Sequence, residues 1–276
     1  MKSIPPVLRV VLYVISVVFL TMLLSALLFP LLTTVFAVSP SGFVYYIGAE
    51  LCLLFSVVLM AWLMLTYVDG RPFADLGLTL GGHGKDIAYG MLMAMVLYAI
   101  GFGVSLALGA VRVTGVRFHP VDLLASWFFF VLVAFAEEIM VRGYILGRLL
   151  STRMNKFLAL LLSSLIFAAG HLFNPGVTFL PMLNLVLAGL LLGASYLYTR
   201  NLWFPISLHL FWNWIQGPVL GYEVSGNSFG NTLLALEFPE PNLINGGAFG
   251  FEGSVICTFL MIVFTAGIIV RFERKI

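Results

Sequence analysis

The chain has 276 residues, of which 61% are apolar and only 9% charged, and its formal net charge is +2. An ordinary soluble domain carries about 25% charged residues, and the mean hydropathy here is +1.08. These values exclude a soluble globular enzyme, a disordered chain and a nucleic-acid-binding module, and they place most of the chain inside a lipid bilayer. Cys52 and Cys257 both lie in apolar runs and read as packing residues, not as a disulfide framework.

A membrane-spanning helix needs about 20 predominantly apolar residues. In chain order the candidate spans are 7–29, 43–68, 86–111, 121–149, 157–173, 179–199, 203–221 and 252–270. The expected fold class is all-α: a polytopic membrane protein of about eight transmembrane helices. Residues 1–276 then form a single integral membrane domain, with the active site in a cavity of the helix bundle. The first run follows Lys2 and Arg9 as a signal peptide would. It is longer than a signal h-region and no small-residue cleavage site follows, so it reads as a retained anchor.

Basic residues set the orientation. With eight spans and a cytoplasmic N-terminus, the inner side holds Lys2, Arg9, Arg71, Lys85, Arg148, Arg153, Lys156, Arg200, Arg271, Arg274 and Lys275. The outer side holds Arg112 and Arg117, and Arg142 falls within a span. This asymmetry predicts both termini in the cytoplasm, in what reads as a bacterial cytoplasmic membrane. The loop at 222–250 carries Glu223, Glu237 and Glu240 without a base, and it is rich in Gly, Asn and Pro. It is expected to be irregular and external.

Ionisable residues inside spans are costly, about 2.5–3.5 kcal/mol each on insertion scales, and mark functional sites by default. Here they are Glu50, Glu137, Glu138, Arg142, His171 and His209. Glu138 and Arg142 are four apart and share a helix face, with Glu first, the favourable order. Glu137 is rotated about 140° from Arg142 on an ideal helix, so it has no local partner. It must find one on another helix, bind a proton or face water, which makes it the better general-base candidate. Phe167 and His171 are four apart, with Ala168, Ala169 and Gly170 between them permitting close helix approach. His209 and Asn213 are also four apart and face one way. Glu50 reads as a protonated or hydrogen-bonded helix contact, with a gate or site role as the alternative.

Together these groups meet the needs of amide hydrolysis. Glu137 and His171 can hold and deprotonate a water, and His209 and Asn213 can donate hydrogen bonds to the oxyanion. No serine or cysteine in the cluster offers a nucleophile. The depths fit less well. His171 lies about 21 Å along its helix from residue 157, and His209 only about 9 Å from residue 203. Bringing them together requires strong tilts or a later helix start. A water-filled cavity is required in any case.

The three segments Glu137-Glu138-Ile-Met-Val-Arg142, Phe167-Ala-Ala-Gly-His171 and His209-Leu-Phe-Trp-Asn213 resemble the EExxxR, FxxxH and HxxxN motifs of the CPBP family. These are the intramembrane CaaX proteases and bacteriocin-processing enzymes, also called the ABI family. The resemblance covers about 121–215, and segments 71–78 and 202–205 also look like family members. It implies a glutamate-dependent intramembrane endopeptidase acting on a membrane-associated protein or peptide. By the resemblance, Glu137 and His171 activate water, His209 and Asn213 stabilise the oxyanion, and Glu138 and Arg142 support the site.

Other readings use the same residues. Glu137, His171 and His209 could hold a divalent metal such as zinc with a bound water, as in three-ligand metallopeptidases. A non-proteolytic immunity or scaffold protein that binds a peptide partner is a second reading. A proton-coupled transporter with Glu50, Glu137 and Glu138 as a relay is a third, although the two-fold repetition of many transporters is not visible.

Overall fold

A computed structural model describes residues 4–40 and 42–274. Lys2 and Lys275, assigned to the inner side above, lie outside the described residues. The helices in chain order are α1 (Pro6–Thr34), α2 (Phe43–Asp69), α3 (Gly84–Ala107), α4 (Pro120–Leu149), α5 (Lys156–Ala169), α6 (Phe179–Thr199), α7 (Trp203–Trp214) and α8 (Val255–Glu273). The fold is a polytopic all-α membrane bundle. One two-stranded antiparallel sheet joins β1 (Arg112–Val116) to β2 (Leu234–Glu237), pairing Arg112 with Glu237 and Val116 with Leu234. The external loop is therefore less irregular than its Gly, Asn and Pro content suggested.

The span count is a correction. Among the described residues six helices are long and apolar enough to cross a membrane, not eight. The exceptions are α5, with 14 residues, and α7, with 12. At 1.5 Å per residue they reach about 21 and 18 Å, short of a hydrocarbon core of about 30 Å. The apolar runs that encode them are longer than the helices. Backbone regularity stops first, at Gly170 after α5 and at the wide turn Ile215–Val219, with its internal Pro218, after α7. Both short helices carry site motifs. His171 sits beyond the end of α5, in the turn that leads out of it.

Local signals explain most helix ends. Asn155 caps α5, accepting hydrogen bonds from the backbone N–H of Phe157 at 2.9 Å and of Leu158 at 3.4 Å. Ser254 caps α8 through Cys257 N–H at 3.1 Å, and Pro120 opens α4 where its missing N–H costs nothing. The outer helices keep apolar side chains on the surface, with Phe19, Met22 and Leu27 of α1 each 67% exposed. That is the pattern of a helix solvated by lipid, where no hydrophobic drive buries such groups.

Ion pairs gather one end of the bundle. Asp69, at the end of α2, binds Arg9 of α1 at 2.6 Å and lies 3.7 Å from Arg148 of α4. Lys156 at the start of α5 pairs with Glu273 at the end of α8, which also accepts a hydrogen bond from Tyr198 of α6 at 2.6 Å. The basic residues that set the predicted orientation thus share one end. The β1–β2 sheet, with Arg112 and its neighbour Arg117, and the loop through Asn231 mark the opposite end.

Candidate active site

The first contribution comes from α4. Its turns widen to i→i+5 hydrogen bonding over Ile139–Leu146, directly after the two glutamates. Such wide turns are frequent at functional sites. They also bring residue i+5 closer to residue i than an α-helix does. Glu137, expected to be remote from Arg142, interacts with its charge, though no hydrogen bond joins them.

Glu138 and Arg142 are both 0% exposed. Glu138 Oε1 accepts from Arg142 Nη1 at 2.6 Å and from His209 Nδ1 at 2.8 Å. The sequence spacing anticipated the first bond but not the second. Arg142 is further held by a hydrogen bond from Nη2 to the Gly189 carbonyl, 3.3 Å, on α6. Its guanidinium lies 4.6 Å above the Phe167 ring of α5. One buried ion pair thus connects α4, α5, α6 and α7. Close packing lets it form: a Cβ on Gly189 would lie 2.6 Å from Ser164 Cβ and 2.7 Å from Ser164 Cα.

His209 is buried, and its two nitrogens face different carboxylates. Nδ1 is bound to Glu138, while Nε2 stands 3.9 Å from Glu137 Oε2. That is too long for a direct hydrogen bond and within the span of one bridging water. Glu137 Oε2 has no hydrogen-bond partner among the described residues. His171 is held through the same nitrogen. Its Nδ1 lies 3.0 Å from the Phe167 carbonyl, which can only accept, so Nδ1 carries a proton. The Phe167 ring separates the two histidines, its centroid 4.9 Å from His171 and 6.1 Å from His209.

Glu137, His171, His209 and Asn213 all line one cavity of about 1130 Å³. Its walls come from α2, α4, α5, α6 and α7. At the end of the bundle away from the basic cluster its rim includes the exposed residues Asn227, Ser228, Gly230 and Asn231. Asp122 of α4 accepts a hydrogen bond from Asn231 there, 2.8 Å. The four candidate catalytic residues predicted from sequence therefore face a common space, and Glu138 and Arg142 lie behind it.

Of the carboxylates of this cavity, Glu252 and Asp122 carried no site role in the sequence reading, and Glu50 carried one only as an alternative. Glu252 lines it from the turn before α8 and accepts from Trp212 Nε1 at 2.8 Å and from the backbone N–H and hydroxyl of Ser225, 2.8 and 2.7 Å. It ties the external loop to α7. The available signal was an acid at the margin of the last apolar run. Glu50 also lines the cavity, close enough to Glu137 for the two to repel. Its Oε2 is buried and has no hydrogen-bond partner among the described residues, which of the two expected helix contacts leaves the protonated one. The metal reading also lacks support. Among the described residues no three His, Cys, Asp or Glu side chains, Glu137, His171 and His209 included, converge in a way that could hold a metal ion.

Comparison with known proteins adds one finding. No curated protein and no solved structure matches the chain. Residues 119–215 match the family model described as type II CAAX prenyl endopeptidase Rce1-like. The matched segment runs from the start of α4 to the end of α7 and contains all three motifs, so over these residues the chain is similar to the Rce1-like protease family.

Proposed function

We propose that the protein is an intramembrane endopeptidase that hydrolyses a peptide bond of a membrane-associated protein or peptide with water activated by Glu137. The observation that carries this reading is the shared cavity, lined by a carboxylate oxygen without a hydrogen-bond partner, by Asn213 and by two histidines each anchored through Nδ1. Glu137 and His171 Nε2 hold the attacking water, and Glu137 takes its proton. The hydroxide adds to the scissile carbonyl. The developing oxyanion accepts hydrogen bonds from His209 Nε2–H and the Asn213 amide. Because Nδ1 donates to Glu138, His209 can donate from Nε2 only when the ring carries both protons. Glu138 therefore supplies the counter-charge that keeps His209 a donor. Glu137 then passes its proton to the leaving amine, and the C–N bond breaks.

The cluster of basic residues at one end supports placing that end, and both termini, in the cytoplasm of a bacterial inner membrane. The cavity rim then faces the other side. A prenylated cytosolic substrate is not required, and bacteriocin maturation or regulation of a membrane protein fits as well. Comparing the membrane peptidomes of wild-type and Glu137→Gln cells tests the proposal. Fragments present only in the wild type support it. Identical peptidomes, together with a Glu137→Gln protein that keeps full biological effect at normal abundance, would favour the scaffold reading.

A further inference from the structure

Glu50 is the ionisable group of the cavity that the hydrolytic scheme leaves without a task. It stands on α2 in a row with Phe43, Tyr46 and Leu53, spaced three, four and three residues apart, all lining the cavity. This face runs inward from the rim toward Glu137. The other carboxylates are of two kinds. Asp122 is engaged by Asn231, and Glu252 by Trp212 and Ser225. Glu137 serves the water. No Lys or Arg lines the cavity, and its other titratable groups are Tyr46, His171 and His209. Arg142 is directed away, onto Glu138, Gly189 and Phe167. Glu50 Oε2 meanwhile is shielded from solvent and accepts no hydrogen bond among the described residues. An unpaired carboxylate in such a place is expensive to keep unless something arrives to pair with it.

We infer that Glu50 is a specificity subsite that receives a cationic group of the substrate, an ammonium or guanidinium, beside the bond that Glu137 attacks. The inference rests on the peptidase reading. A Lys or Arg side chain and a free α-amine share this chemistry. A substrate carboxylate at this position would meet the charge of Glu50 and is disfavoured.

The test uses the full chain in zwitterionic phosphatidylcholine nanodiscs, with Glu137→Gln to prevent turnover, and measures fluorescence anisotropy against empty discs. The probes are short apolar labelled peptides: N-acetylated with Lys, norleucine or Glu at one position, and the norleucine peptide with a free α-amine. A charge-assisted contact predicts that the Lys peptide binds about tenfold more tightly than its acetylated norleucine counterpart, with the Glu peptide weakest. Adding Glu50→Gln should collapse the Lys preference to within roughly twofold. If the natural cation is the α-amine, the free-amine norleucine peptide gains the advantage instead, and the same variant removes it. The inference is overturned if no cationic peptide is preferred while Glu50 is present, a result that needs no Glu50 variant. It is also overturned if the preference survives Glu50→Gln, which would leave Glu50 a proton-sharing partner of Glu137. Failure of the peptidase reading looks different. The chain with Glu137 intact would then bind the cationic peptide selectively and cleave none of the four.

Discussion

The Glu138–Arg142 pair offers the sharpest test of how the site is held. Both side chains are 0% exposed and 2.6 Å apart. Replacing Glu138 with Leu removes the charged acceptor of two hydrogen bonds at once, from Arg142 and from His209. Arg142 would keep the Gly189 carbonyl, the Phe167 ring and the more distant charge of Glu137, none of which replaces the lost hydrogen-bonded ion pair. Stranding one charge of a buried pair costs about 3–5 kcal/mol. Arg142→Leu strands the Glu138 carboxylate, which keeps His209 as a partner, so its cost should fall near the lower limit, about 3 kcal/mol. The double variant leaves neither member of the pair stranded and should cost no more than the worse single, giving a coupling energy of at least about 3 kcal/mol. SDS-induced unfolding of the purified protein, followed by tryptophan fluorescence, gives the four values of the cycle. Additivity within about 0.5 kcal/mol would show that the pair acts independently and that α4 to α7 are held by apolar packing alone.

Three further outcomes follow from the same geometry. Glu137→Gln should lower cleavage by about 10²–10⁴-fold, the usual worth of a general base. Stability in the same unfolding assay should change little, because no hydrogen bond is lost and the relieved repulsion from Glu50 offsets the lost attraction to Arg142 and His209. Asn213→Ala should reduce kcat by about 10²–10³-fold, as expected for one oxyanion donor, with KM nearly constant; a rise in KM alone would make Asn213 a binding group. Gly90→Ala, remote from the chemistry, should destabilise by about 1–3 kcal/mol, because its Cβ would lie 2.5 Å from the Phe204 carbonyl and 2.7 Å from Leu208 N on α7. It should also depress kcat by displacing His209, whereas an unchanged kcat would show that α7 tolerates the shift.

What the sequence revealed, and what it hid, divides along a physical line. Apolar run lengths located all eight helices, because burial in lipid or in the bundle leaves the same compositional mark on each. That same mark cannot tell a span from a short helix whose apolar run continues into a turn, and α5 and α7 were overcounted for that reason. The four-residue spacings placed Glu138 on Arg142 and His209 beside Asn213, since they depend only on helical period. The bond from Glu138 to His209 joins residues 71 positions apart, and no local periodicity encodes it. The wide turn after Glu138 was also invisible, and it altered the one angle computed on an ideal helix, that between Glu137 and Arg142.

That wide turn follows directly on two glutamates with different surroundings. In a regular α-helix, adjacent glutamates point about 100° apart. Here one glutamate, Glu138, goes inward to a fully buried ion pair and a histidine, while its neighbour Glu137 faces the cavity with an unpartnered oxygen. Glu138 accepts from His209 Nδ1 and the Phe167 carbonyl accepts from His171 Nδ1, so both rings are anchored through the same nitrogen. Phe167 connects both arrangements, with its carbonyl on one histidine and its ring between the two and under Arg142. The short α5 is what puts it there. A helix long enough to cross the bilayer would carry His171 on as part of a regular span, whereas the break at Gly170 lets the imidazole turn back onto its own last carbonyls and face the cavity. The two helices that fall short of spanning the membrane are therefore the ones on which the proposed chemistry depends.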